Sequence, residues 1–178
     1  MNEPVVAWHF CKADRKLGYG DGREVKSGAI FTVNPDELAL CQFGLHGSVR
    51  AIDALSFARG GVVSRTVHSG EIIYGRAKLA SSVREHIVVA DAVAVLLRFI
   101  EWCAERVSAA NYTAAAYSAN YAAYAANYAT YAAYAVANAA AYSANAERTA
   151  QNEKLESMLF ELIQKQQGLD EPIAGPRT

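Results

Sequence analysis

Cysteine and histidine are the residue types that most often bind metals or act as nucleophiles and bases. In this chain neither type has the spacing typical of such a site. Cys11, Cys41 and Cys103 are an odd number without Cys-x-x-Cys spacing, which indicates neither a zinc knuckle nor a disulfide framework. No Cys/His/Asp arrangement would make a nucleophile of Cys11 or Cys41, so we predict buried, reduced thiols. The four histidines have no metal-ligand spacing, and we predict no metal site.

One glycine-rich segment, Gly18-Tyr19-Gly20-Asp21-Gly22, has the Gly-x-Gly-x-Gly spacing found in some phosphate-binding loops. Phosphate binding of that kind would need a long helix directly after the segment, and the sequence indicates none. The pair Asp21-Gly22 is typical of the tip of a β-hairpin. We therefore predict a turn here.

His9, Ser48 and Glu85 supply a polar residue, a hydroxyl and a glutamate on three successive segments. This layout resembles that of ADP-ribosyltransferase-type domains, where the first two groups orient NAD and the glutamate holds the ribose as the glycosidic bond breaks. The resemblance implies an NAD-using enzyme with these three catalytic residues. The interpretation we favour has no catalytic residue and no cofactor: His46 makes a turn hydrogen bond, Ser48 caps a short helix and Glu85 is solvated.

The elements that would position these residues divide the chain in two. Ten of the 12 glycines lie at or before Gly75, and neither glycine nor proline occurs from 76 to 167. Short β-rich runs fill the first part, with a helix beginning near Ser48. A last strand at His86–Val89 closes the predicted sheet, and Asp91 caps a long helix. The other predicted strands are 5–10, 29–33, 61–67 and 71–74, the last two joined by a turn at 68–70.

From these elements we predict an α+β fold. A small β-rich recognition domain with one short helix would occupy residues 1–90. A long alanine/tyrosine-rich helical region would occupy residues 91–167, because glycine and proline are absent there. Residues 168–178 would form a flexible tail.

The tract 107–146 carries no charge and consists mostly of alanine, tyrosine and asparagine. Alanine favours helix without tertiary help, and tyrosines spaced by three and four share one seam. A helix of this composition would expose a large apolar surface unless another helix covered it. We therefore predict a coiled coil between subunits or a helical hairpin within one. The residues assigned to helix packing and oligomerisation are Tyr117, Tyr121, Tyr124, Tyr128, Tyr131, Tyr142, Leu155, Leu159 and Leu162.

Composition argues against several functional classes. With 17 basic and 18 acidic residues, the net charge of -1 excludes a polybasic nucleic-acid binder. The tyrosines also lack the interleaved lysines and arginines that accompany base stacking. Recurrent asparagine and weakly apolar alanine argue against a membrane span, and the N-terminus has no secretory signal pattern. We predict a cytoplasmic protein that binds neither nucleic acid nor membrane.

Several short motifs are distributed along the chain: Trp8, Phe10, 18–23, Val25, Gly28, 40–41, 44–48, 53–55, 69–72, Lys78 and 84–85, followed by Glu147, 151–152 and 155–159 in the tail. In these motifs the chain resembles a poorly characterised family of phage- and prophage-encoded proteins, in which a β-rich module precedes an alanine-rich tail. The resemblance implies a viral or mobile-element origin and the cytoplasm of the host cell, and it brings no established activity.

Together these observations predict a non-enzymatic interaction protein. Its N-terminal domain would bind a host or phage protein, and its Ala/Tyr region would assemble it as a homo-oligomer. One role consistent with a viral origin is inhibition of a bacterial defence system by covering a surface. A virion-associated structural role stays open, and the ADP-ribosyltransferase-like enzyme is the competing class.

Overall fold

The computed structural model describes residues 3–18, 20–106 and 145–168. Part of the segment predicted as a flexible tail, residues 169–178, therefore lies outside the described residues. In chain order the elements are β1 (Val5–Cys11), β2 (Ile30–Thr32), a short 3-10 turn (Pro35–Glu37), β3 (Leu45–Gly47), α1 (Ala51–Ser56), β4 (Val62–Tyr74), β5 (Leu79–Asp91), α2 (Val93–Arg106) and α3 (Asn145–Gln167).

The predicted fold class is wrong. Within the described residues the protein is mainly a five-stranded antiparallel sheet, accompanied by three short helices. The C-terminal helix, α3, has 23 residues and does not form a helical region over 91–167. Absence of glycine and proline permits a helix without requiring one, and the whole of β5 lies inside that run. A coiled coil is not supported either, because α3 buries its apolar stripe against its own chain.

The strands pair in a ring. Their order is β1-β4-β5-β2, and β3 pairs with β5 beside β2. Trp8 in β1 then donates its backbone N–H to the carbonyl of Ser48, and Ser48 returns a bond to Trp8, at 2.8 and 3.0 Å. This pairing links β1 to the residue that follows β3. The sheet therefore has an inner face, enclosed by the ring, and an outer face.

The predicted turn at 68–70 is also wrong, because β4 runs through it without a break. Gly70 has a positive φ of 75°, and the register with β5 shifts between Ser69 and Ile72. A glycine in this conformation inside a strand accommodates a bulge. β4 and β5 consequently form one long hairpin of 13 residues in each strand.

The larger of two apolar clusters lies on the outer face, and the smaller one, which includes Phe31, Val62 and Val89, lies on the inner face. Trp8, Phe10 and Val63 project to the outer face from the sheet and pack with all three helices. Leu155 and Leu159, two of the residues assigned to helix packing, are fully buried in this core, and Leu162 packs against it. The six tyrosines assigned to the same role lie outside the described residues.

Helix α1 is capped by α3 and not by Ser48 as predicted. Its N-cap residue is Arg50, which makes no side-chain cap bond. The backbone N–H groups of Ala51 and Ile52 instead donate to Glu156 Oε1 and Asn152 Oδ1, each at 3.1 Å. Free N–H groups in the first turn need such acceptors. The packing of α1 therefore depends on residues about 100 positions later in the chain.

Several local predictions are confirmed. Asp91 accepts the backbone N–H of Val93 at 2.9 Å and caps α2. The glycine-rich segment forms a turn closed by Leu17 and Arg23, whose backbone groups bond at 2.9 Å. Of the thiols predicted to be buried, Cys11 is buried, whereas Cys41 is exposed and adopts a positive φ of 71°.

Candidate functional site

Three of the four histidines point to the enclosed side of the sheet around one arginine, and the fourth, His46, supplies its backbone carbonyl to that arginine. His9 comes from β1, His68 from β4 and His86 from β5, and His46 is contributed by β3. Arg84 makes two hydrogen bonds to them: its Nε donates to His86 Nε2 at 3.2 Å, and its Nη1 donates to the carbonyl of His46 at 2.6 Å. We call these five residues the histidine cluster.

Strand alternation explains why these side chains meet. Successive residues of a strand point to opposite faces, so Ser64, Thr66 and His68 share the inner face of β4. Thr66 pairs with His86 and His68 pairs with Arg84, which places the polar residues of β5 on that same face. The sequence therefore builds a polar inner face from two alternating strands.

The bond between Ser64 and His86 resembles a nucleophile–base pair, but its chemistry differs. Ser64 Oγ lies 2.6 Å from His86 Nδ1. Because Arg84 can only donate, His86 Nε2 must accept, and the proton of a neutral imidazole must sit on Nδ1. His86 thus donates to Ser64 and cannot take its proton. The pair is a structural hydrogen bond and not an activated serine.

His68 is held between two hydroxyls. Its Nε2 lies 3.1 Å from Thr66 Oγ1, and its Nδ1 lies 2.8 Å from Ser81 Oγ. Thr66 in turn donates to the carbonyl of Ala7 at 3.1 Å, which ties the cluster to β1. These bonds connect three strands through fully buried side chains. His9 differs, since its buried Nδ1 has no hydrogen-bond partner in the described part of the chain.

Arg84 is a buried cation. Only 2% of the residue is exposed, and no carboxylate among the described residues lies within ion-pair distance of it. Burial lowers the pKa of Arg84 to about 9, so the guanidinium remains charged at neutral pH. An uncompensated buried charge is costly, and here hydrogen bonds to His86 and His46 offset part of that cost.

The histidines are consequently held neutral. Burial first, and then the charge of Arg84, lowers the pKa of His68 and of His86 to about 3. The same two causes place the pKa of His9 well below its ordinary value. Burial, followed by Lys78 and Arg84, also lowers the pKa of His46. The cluster therefore resists protonation in the folded state.

The cluster is closed to ligands in this conformation. His68, His86 and Thr66 are fully buried. A methyl group added at Gly47 would lie 2.5 Å from His68 Nε2, so the interior is filled at that point. Among the residues that the structure describes, no group of three histidine, cysteine or carboxylate side chains could hold a metal ion.

A second feature lies on the outer face, where the helices leave part of the sheet uncovered. Val6, Val67, Glu85 and Ile30 form one register row across β1, β4, β5 and β2. Val6 is 43% exposed and Ile30 is 62% exposed. The neighbouring row towards the strand ends is Ser69, Val83 and Thr32. We call these seven residues the uncovered strip.

The boundary of the strip is set by α3. On the next row, Trp8 and Arg65 are covered by Phe160, whose ring centroid lies 5.3 Å from that of Trp8. The Arg65 guanidinium stacks 4.4 Å from the Trp8 ring centroid and 5.5 Å from that of Phe160. It therefore points towards the helices. Glu85 lies in the adjacent row, opposite Val67, and makes no ion pair among the described residues.

The three residues of the NAD-enzyme alternative do not share a cleft. His9 lies on the inner face, next to His86, with ring centroids 5.8 Å apart. Glu85 precedes His86 in β5, points to the outer face and is exposed. Ser48 is buried beside Trp8, where its backbone closes the ring. By contrast, His46 makes the predicted turn bond, accepting the backbone N–H of Cys41 at 3.1 Å.

Sequence reasoning missed Arg84, His68 and the hydroxyl residues as members of a cluster. The available signal was the alternation of polar residues at 64, 66 and 68 and at 84 and 86. Alternation of this kind usually marks a solvated face.

None of the helices in the described ranges is both long and apolar enough to cross a bilayer. Comparison with known proteins found no matching family model, no similar curated protein and no similar solved structure.

Proposed function

We propose that this protein is a non-enzymatic interaction protein that binds a partner protein through the uncovered strip. The observation that carries the proposal is the exposure of Val6 and Ile30 in one row of the outer face. Elsewhere the same face forms the apolar core. Val6, Val67 and Ile30 thus extend the apolar surface of the core beyond the helices, which is where a partner could bury them.

The state of the histidine cluster supports binding over catalysis. A catalytic histidine needs access to substrate and a pKa near the working pH. His68 and His86 have neither, because both are fully buried and have a pKa of about 3. The hydrogen-bond pattern also leaves Ser64 without a base.

We further propose that the partner is a protein of a bacterial host or of a phage, and that binding takes place in the host cytoplasm. The resemblance of the N-terminal motifs to phage- and prophage-encoded proteins supports this part. A small protein with a face of this kind would inhibit a bacterial defence complex by covering one of its surfaces.

Two exposed apolar residues provide a matched test. Ile30 lies on the strip and is 62% exposed, whereas Tyr74, at the far end of β4, is 61% exposed. The wild-type chain and its Ile30→Lys and Tyr74→Lys variants are used to capture proteins from bacterial lysate, and captured proteins are purified and titrated by calorimetry. We expect a partner that Tyr74→Lys binds normally and that Ile30→Lys binds at least about tenfold more weakly.

Thermal unfolding of both variants checks that each is folded, which the exposure of both side chains favours. Equal binding of the purified partner by Ile30→Lys and the wild-type chain would contradict the proposal. So would a partner lost only in Tyr74→Lys.

A further inference from the structure

We infer that the uncovered strip receives an amphipathic helix of a different protein, with a lysine or arginine of that helix placed opposite Glu85. The inference rests on the proposed function and specifies the partner's chemistry. It is carried by the position of Glu85, the one charged residue of the strip, which makes no ion pair among the described residues.

The size of the strip fits a single helix. Four strands at about 4.8 Å spacing give a width of about 15 Å, and two rows of same-face residues span about 14 Å along the strands. The resulting area of about 200 Å² is well below the roughly 800 Å² that each partner contributes to a stable dimer. The strip is therefore the size of a contact with one short helix and not of a stable dimer interface.

The charge of the strip also disfavours a second copy. Val67 and Ile30 flank Glu85 directly across the strands. In a symmetric dimer the strip would meet itself, bringing two Glu85 carboxylates together on partly desolvated surfaces, where like charges repel. A heterologous partner carrying a cation removes that conflict. It would also pair with a carboxylate that has no ion pair among the described residues.

Neighbouring contacts favour a helix over an extended strand. Helix α3 already packs on the adjacent row of the same face, through Phe160 on Trp8 and Arg65. A second helix would lie beside it at the usual separation of about 8–10 Å. An added strand would instead need a free sheet edge. Trp8 in the edge strand β1 is already paired with Ser48, and the other edge strand, β2, has only three residues, with the Thr32 carbonyl accepting from Arg23.

The experiment uses a displayed library of helical peptides with one randomised face, selected against the full chain and, in parallel, against Glu85→Lys. We expect wild-type selection to enrich apolar peptides with a central lysine or arginine, and Glu85→Lys selection to enrich central aspartate or glutamate. Selected peptides should bind Ile30→Lys at least about tenfold more weakly and Tyr74→Lys as the wild type. Glu85→Gln should weaken the cationic peptides by about fivefold.

The failures are distinguishable. Peptides that depend on Ile30 but show no charge preference, or an acidic one, overturn this inference and leave the proposed function in place. The absence of any peptide that depends on Ile30 overturns both. A concentration-dependent dimer of the wild-type chain that Ile30→Lys abolishes, measured by analytical ultracentrifugation, overturns the inference in favour of a second copy.

Discussion

Lowering the pH from 7 to 5 should destabilise this protein strongly, because folding keeps buried histidines neutral. His68 and His86 lie against Arg84 in the histidine cluster and are fully buried. Protonating either one would place a second charge beside a guanidinium that has no carboxylate among the described residues. In the unfolded chain the same imidazoles are free to take up protons.

The magnitude follows from the difference between folded and unfolded pKa values. An unfolded histidine titrates near pH 6.5, whereas the pKa of His68 and of His86 in the fold is about 3. Between these values the unfolded state binds more protons, so stability is complete above about pH 6.5 and is lost as the pH falls. From pH 7 to pH 5 each histidine removes about 2 kcal/mol, about 4 kcal/mol together. That loss is a large part of a typical 5–15 kcal/mol.

The measurement is the free energy of unfolding by urea at several pH values from 5 to 8. His86→Gln is the informative variant, because the amide can still accept from Arg84 Nε and donate to Ser64. It should reduce the pH slope between 5 and 6 by about 1 kcal/mol per pH unit. Leu159→Val, which changes the core without removing a titrating group, should lower stability and keep the wild-type slope.

Two results would refute this reasoning. One is a wild-type free energy of unfolding that changes between pH 5 and 6 by less than about 1 kcal/mol per pH unit. Such a slope means that the unfolded state binds fewer than one proton more than the folded state. The other is an unchanged slope in His86→Gln, which would mean that this imidazole is protonated in the folded state.

Other parts of the fold give independent expectations. Asn152→Ala should lower stability by about 1 kcal/mol, because it removes the acceptor at the start of α1, whereas Glu153→Ala, on the exposed side of α3, should change it by less than about 0.5 kcal/mol in the same urea titration. Gly47→Ala should cost about 1–3 kcal/mol, because its methyl group meets an imidazole, and Gly18→Ala, with only an arginine tip 3.9 Å away, should be tolerated. Of the three thiols, that of Cys41 should react with a disulfide reagent in the folded protein and the other two only after unfolding; rapid reaction of all three would show that the core opens easily.

Local features of this fold were accessible from the sequence because short-range chemistry decides them. The cap by Asp91 and the glycine turn at 18–22 depend on neighbours within a few positions. The turn bond of His46 to Cys41 is equally local. Each requires only a side chain whose preferred geometry matches the adjacent backbone.

Features that depend on distant residues were not accessible. Ser48 looks like a helix cap, yet the acceptors for α1 come from Asn152 and Glu156. No local pattern identifies a cap supplied about 100 residues away. The breaker-free run that begins at 76 shows a related limit: its first part forms β5, because pairing with β4 is available there.

The inner and outer faces of the sheet explain why the candidate sites were hard to predict. A half-buried strand is usually read with its polar residues in solvent, but here β4 and β5 close with β1 and β3 into a ring that buries His68 and His86. Phe31, Val62 and Val89 pack on the inner face as well, whereas the larger apolar cluster around Trp8 faces outward and needs a separate cover. Helices supply it over Trp8 and its neighbours, up to Phe160, and leave Ile30 exposed. The buried histidines and the uncovered strip are thus two consequences of the same ring of strands, and a ligand for the strip completes a cover that the described helices supply only in part.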